Sequence, residues 1–122
     1  MATTHLDLYV DKIKLNNQSG TVCRLTCCYK DGVDGEHKKA GQTEYFPVGK
    51  SESLDLNPLE ELNALYAKGR EVWVTAYADV KAGKDDYTDV WAKYRPASER
   101  CAEFTISGVI NFTDVGYNGV TE

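Results

Sequence analysis

Glu71–Val80 reads as a strand, and from Val72 on the chain changes character at every residue. Val72, Val74, Ala76, Ala78 and Val80 fall on one side, and Trp73, Thr75, Tyr77 and Asp79 on the other. A period of two belongs to a strand and not to a helix. The pattern returns over Asp86–Arg95, where Thr88, Val90, Ala92 and Tyr94 share a face and Tyr87, Asp89, Trp91 and Lys93 take the other. Lys81–Asp85, with Gly83, is short enough to close these two segments into a hairpin. A register that sets Trp73 against Trp91 also sets Thr75 against Asp89 and Tyr77 against Tyr87. All six then lie on one face, because paired residues share a face.

Strand patterns recur along the rest of the chain. Leu6, Leu8 and Val10 alternate, and Ile13 and Leu15 continue in the opposite phase, which predicts a bulge or bend near Asp11–Lys12. Asn16–Gly20 is a turn cluster, followed by a strand over Thr21–Tyr29 with Cys23, Leu25, Cys27 and Tyr29 on one face and Arg24, Thr26 and Cys28 on the other. Lys30–Gly41 reads as a polar loop. Short strands are expected at Gln42–Phe46 and Ser51–Leu56, and longer ones at Cys101–Ile110 and, along an edge, Asn111–Tyr117. One helix is signalled at about 58–68. Asn57 suits the N-cap, Pro58 the first position, Glu60 and Glu61 the first turn, and Gly69 the residue after the last turn. Seven or eight short strands with regular turns predict an all-β fold. We expect an antiparallel Greek-key or jelly-roll β-sandwich with one short α-helix, and 122 residues suffice for one such domain over 1–122.

Composition excludes several function classes. A net charge of −5 lacks the basic footprint of a nucleic-acid binder. No apolar run approaches the ~20 residues of a membrane-spanning helix. Met1–Asp7 carries neither a basic start nor an apolar core, so no secretory signal is read and a cytoplasmic location is expected, with non-classical secretion left open. In that compartment the four cysteines, Cys23, Cys27, Cys28 and Cys101, are expected as free thiols, the rival being one bridge from Cys101 to Cys23 or Cys27. The sequons at Asn17 and Asn111 are then accidental. His5 and His37 lie in no nucleophile or metal-ligand pattern, and Gly49-Lys50-Ser51 lacks the upstream glycine of a phosphate loop. Two acidic loops, Asp31/Asp34/Glu36 and Asp85/Asp86/Asp89, have calcium-type oxygens without the order of an EF-hand and read as solvated turns. Neither enzyme nor cofactor nor metal is expected.

The candidate site follows from the two-faced hairpin. The Val/Ala face is easier to bury, because the other carries Asp79, Asp89 and Lys93, and unpaired burial of such groups costs several kcal/mol. The mixed face is therefore expected to look outward or to line a groove. Trp73, Tyr77, Tyr87 and Trp91 offer ring faces for sugar C–H groups, and Asp79, Asp89 and Lys93 offer polar partners for hydroxyls. A carbohydrate-binding protein is the first reading, with a glycan or glycoprotein as partner. The same rings suit a membrane interface, so a lipid-binding or pore-forming-type module is the alternative. A third reading is an oligomeric structural or stress protein with the aromatic face as its contact. In layout the chain is similar to small sandwich lectins and to aegerolysin-like proteins, a likeness that assigns no residue a role.

Overall fold

Alternation along the strands separates two inner faces from two outer ones. The computed structural model describes residues 3–109 and 111–122. In chain order the elements are β1 (Thr4–Val10), β2 (Lys12–Ser19), β3 (Cys23–Asp31), β4 (Lys38–Gln42), β5 (Ser51–Asp55), α1 (Glu60–Ala67), β6 (Val72–Val80), β7 (Asp86–Tyr87), β8 (Val90–Tyr94), β9 (Cys101–Val109) and β10 (Phe112–Thr121). The predicted strand over 101–110 is present to Val109, and Ile110 lies outside the described residues.

The first sheet runs β1-β8-β6-β3-β4, with β7 also on β6, and the second runs β10-β9-β2-β5. The fold is an all-β sandwich, as expected. To its antiparallel ladders it adds two parallel pairings, β1 with β8 and β2 with β9. Leu25, Cys27, Val74, Ala76, Ala78 and Ala92 of the first sheet meet Ile13, Leu15, Ala102, Phe104, Ile106 and Val115 of the second in one core. The Val/Ala face is thus the buried one, as the missing charges required.

The phase flip at Asp11 marks the place where the chain leaves the first sheet as β1 and enters the second as β2. The Asp11 backbone carbonyl accepts the Leu56 N–H at 2.8 Å, and the N–H groups of Asp11 and Lys12 both donate to the Arg100 carbonyl. The buried Asp11 carboxylate accepts from Asn57 Nδ2 at 3.0 Å and from the Arg100 N–H at 3.2 Å. Burial alone would raise its pKa. The hydrogen bonds from Asn57 and the 99–100 backbone, with the nearby Lys12 charge, outweigh burial and hold the carboxyl below its ordinary value.

These bonds explain why the helix starts late. Asn57 is not the N-cap. Its side chain is drawn to Asp11 and Asp55, and its amide oxygen accepts the Ala97 N–H at 2.8 Å. Leu59 holds the cap position without a side-chain bond, and the helix begins at Glu60 instead of Pro58. The C-terminal expectation holds: Gly69 has φ +76°, and its N–H reaches the Tyr66 carbonyl at 3.0 Å. β4 starts at Lys38, inside the segment read as a loop, and beyond Gln42 only Phe46 pairs, with Cys23. All four cysteines are unbridged. Asn17 is buried, donating to the Thr21 and Phe46 carbonyls, so its sequon is inaccessible in the folded chain.

Candidate functional site

β6, β7 and β8 bring most of the predicted site together. Tyr77 pairs with Tyr87, as the expected register requires. Thr88 and Asp89 then interrupt the ladder, and when pairing resumes Trp73 faces Lys93 instead of Trp91. The slip is two residues, so every side chain keeps its face and only the neighbours change. Trp73, Tyr77, Tyr87, Trp91 and Lys93 therefore share the outer face of the first sheet. Asp89 lies in the interruption, where its carbonyl accepts the Thr4 N–H. Asp79 stands toward one end, bound to Arg24 Nε at 2.7 Å.

The expected exposure is where the structure differs. Trp73 is 4% and Trp91 0% exposed, and with Cys28 they form a second small core, against which Tyr77 packs. The cover comes from residues that share no local pattern with the hairpin. The ring of His5, on β1, meets Trp73 edge-on at 4.7 Å. His37, from the loop before β4, lies 4.9 Å from Trp91 and 5.7 Å from Tyr87. The Lys30 ammonium sits 4.4 Å from the centre of the Trp91 ring and donates to the Val33 carbonyl at 2.8 Å, tying that loop down. Burial lowers the pKa of both His5 and Lys30.

Several polar groups of this face are also occupied, whereas Trp91 Nε1 and His5 Nε2 are buried without a partner. Trp73 Nε1 donates to Glu71 at 2.9 Å, and Lys93 reaches Asp7 at 3.3 Å and Glu71 at 4.0 Å. The Lys39 ammonium lies 3.9 Å above the Tyr77 ring, which stacks on Tyr87. Tyr77 also donates its hydroxyl to Asp85 at 3.0 Å, and burial raises its pKa. Asp85 accepts the Val80 N–H as well, closing the predicted 81–85 turn. Only the outer margin of the face, Tyr87 above all, meets solvent. A sugar ring cannot stack on either tryptophan as the chain stands. No group of three or more His, Cys, Asp or Glu side chains converges on a metal-sized site among the described residues.

Exposed apolar side chains collect elsewhere. β9 and β2 end, and β10, β3 and β5 begin, at one end of the sandwich. At that end Phe112 is 79% and Val109 60% exposed, and Val22 and Val48 are exposed on neighbouring loops. Val109 and Phe112 pair as the last rung of the β9–β10 hairpin. The hairpin turns tightly through Asn111 at φ +66° and Gly108 at φ +96°. A side chain on Gly108 would collide with the Phe112 carbonyl. Sequence reasoning absorbed Val109 and Phe112 into strands. The signal was there: Val109-Ile110-Asn111-Phe112 places large apolar residues where a hairpin turn usually carries polar ones.

No family model matches the chain, and no curated protein matches it. Solved structures with a related layout include listeriolysin O (14% identity, TM-score 0.41), a Gram-negative toxin (12%, 0.43) and the membrane-binding domain of pneumolysin (9%, 0.38). Each match covers 88% of this chain. It covers 22% of listeriolysin O and of the Gram-negative toxin, and 95% of the pneumolysin domain. The chain thus spans well under a third of the first two proteins. TM-scores this low carry no functional argument.

Proposed function

We propose that the chain is a peripheral membrane-binding module that inserts the β9–β10 hairpin tip into the lipid interface, and that it acts as a binding protein and not as an enzyme. The observation that carries this reading is the solvent-facing pair Val109 and Phe112 at the last rung of the hairpin, with Val22 and Val48 at the same end. Large apolar side chains presented together to water mark an interaction surface. Full burial of a Val or Phe side chain contributes about 1.5–3 kcal/mol; Val109 is 60% and Phe112 79% exposed, so burying what remains open supplies about 2–4 kcal/mol. One copy then binds no more tightly than a dissociation constant near 1 mM, which corresponds to about 4 kcal/mol. Stable attachment calls for several copies acting together, the point at which a homo-oligomer enters. The acidic balance of the chain favours neutral over anionic lipid.

The test is sedimentation with phosphatidylcholine vesicles, with and without anionic lipid, alongside a panel of immobilised glycans. Phe112→Ser should lower vesicle partitioning at least tenfold, about 1.4 kcal/mol or more, while thermal stability stays within about 0.5 kcal/mol, as for an exposed site. Vesicle binding unchanged in both Phe112→Ser and Val109→Ser would overturn the reading. Binding to glycans without binding to vesicles would restore the carbohydrate reading in its place.

A further inference from the structure

At the other end of the sandwich, the loop from Arg95 to Arg100 joins β8 to β9 and lines a cleft of about 610 Å3 with Tyr9 of β1. In a chain with 19 acidic residues, no carboxylate lines this cleft. Its two cations are Arg95 and Arg100, and neither guanidinium makes an ion pair among the described residues. The Arg95 guanidinium lies 5.5 Å from the centre of the exposed Tyr9 ring.

The backbone of the loop is held in an unusual shape. Ala97 and Glu99 have φ of +57° and +59°, which side-chain-bearing residues rarely adopt. Three bonds impose it: Arg95 N–H to the Val10 carbonyl, Ala97 N–H to Asn57 Oδ1, and Arg100 N–H to Asp11 Oδ1. The scaffold thus strains this loop, and in doing so holds two unpaired guanidinium forks beside a common space. Guanidinium forks match the oxygens of a tetrahedral anion.

We propose that the Tyr9–Arg95–Arg100 cleft binds a tetrahedral oxyanion, a phosphate or sulfate group, with the Tyr9 ring as a seat for the body that carries it. The cleft is separated from the hairpin tip by the length of β9, nine residues, or about 30 Å. The inference rests on the cleft alone and does not depend on the membrane reading.

The test is an amide NMR titration with sodium sulfate, sodium phosphate and a sulfated disaccharide, against sodium chloride at matched ionic strength. Saturable shifts at Ser98 and Arg100 are expected. Arg95→Gln and Arg100→Gln should each weaken binding about tenfold, the loss of one charge-assisted hydrogen bond. Additional shifts at Tyr9 with the disaccharide would support the seat. Shifts that follow ionic strength alone would overturn the proposal, as would unchanged affinity in a folded Arg95→Gln/Arg100→Gln double variant.

Discussion

Truncating Trp91 separates the covered face from an open one. Trp91 is fully buried, packs with Cys28 and Trp73, and carries His37 and the Lys30 ammonium on its ring. Trp→Ala in such a setting costs about 3–5 kcal/mol. The lost cation–π contact, about 0.5–2 kcal/mol, is contained in that cost or adds slightly to it. We therefore expect Trp91→Ala to lower stability by about 4 kcal/mol, a large share of the 5–15 kcal/mol of a typical domain. In a thermal melt this is a drop of about 15 °C at roughly 4 °C per kcal/mol. Trp91→Phe is the informative companion. Trp91 Nε1 is buried without a partner, so the phenyl ring relieves an unsatisfied N–H as it gives up volume, and the net loss should be only about 1 kcal/mol. Urea denaturation of both variants gives the measurement, provided the slope with denaturant stays constant. A loss of no more than about 1 kcal/mol for Trp91→Ala, the value of an exposed ring–ring contact, would refute the covered face.

The pKa of Asp11 is depressed in the folded chain, so its contribution is fully present above about pH 4, the unfolded value, and is lost as pH falls through the lower folded value. Asp11→Asn should therefore cost about 1–3 kcal/mol at pH 7, and the gap to the parent protein should narrow below pH 4. A gap that stays constant between pH 7 and pH 3 would contradict the assignment. For the thiols, burial pushes Cys23 and Cys28 up to about 11 and raises Cys27 and Cys101 as well. Thiol reagents should thus react slowly with the native protein, at the half-buried Cys101 first, and should titrate all four cysteines in denaturant. Rapid native labelling of Cys27, or fewer than four thiols on unfolding, would count against this packing.

How far the sequence could be read depended on the range of the interaction. Alternation is local, so the inner face of β6, the turn over 81–85 and the Gly69 terminus were all legible. The sheet switch at Asp11 was legible as a phase change because two runs of opposite phase meet there. Asn57 had every local mark of a helix cap and was recruited by Asp11 and Ala97, residues far from it in sequence. The cover over Trp73 and Trp91 was illegible for the same reason. The rings and charges of that face satisfy one another only once β1 brings His5 and the loop before β4 brings His37. The argument that unpaired charges resist burial was sound, but the premise that they lack partners was not. Val109 and Phe112 were hidden by an assumption of the opposite kind, that an apolar residue beside a strand extends its core.

The two parallel pairings also order events in time. β1 and β2 leave the ribosome well before β8 and β9, yet their ladders are with those strands, and the bond from Asn16 to the Phe104 carbonyl spans 88 positions. In the second sheet β2 can pair early with β5, but its other edge stays open until β9 is made. β1 has no ladder partner at all before β8. Closure at such separation is slow, and an unpaired apolar strand is prone to associate with other chains while it waits. A nascent chain released before Val90 would carry two strands still seeking partners, so yield in the cell should depend more on chaperone supply than the final stability of the sandwich would suggest.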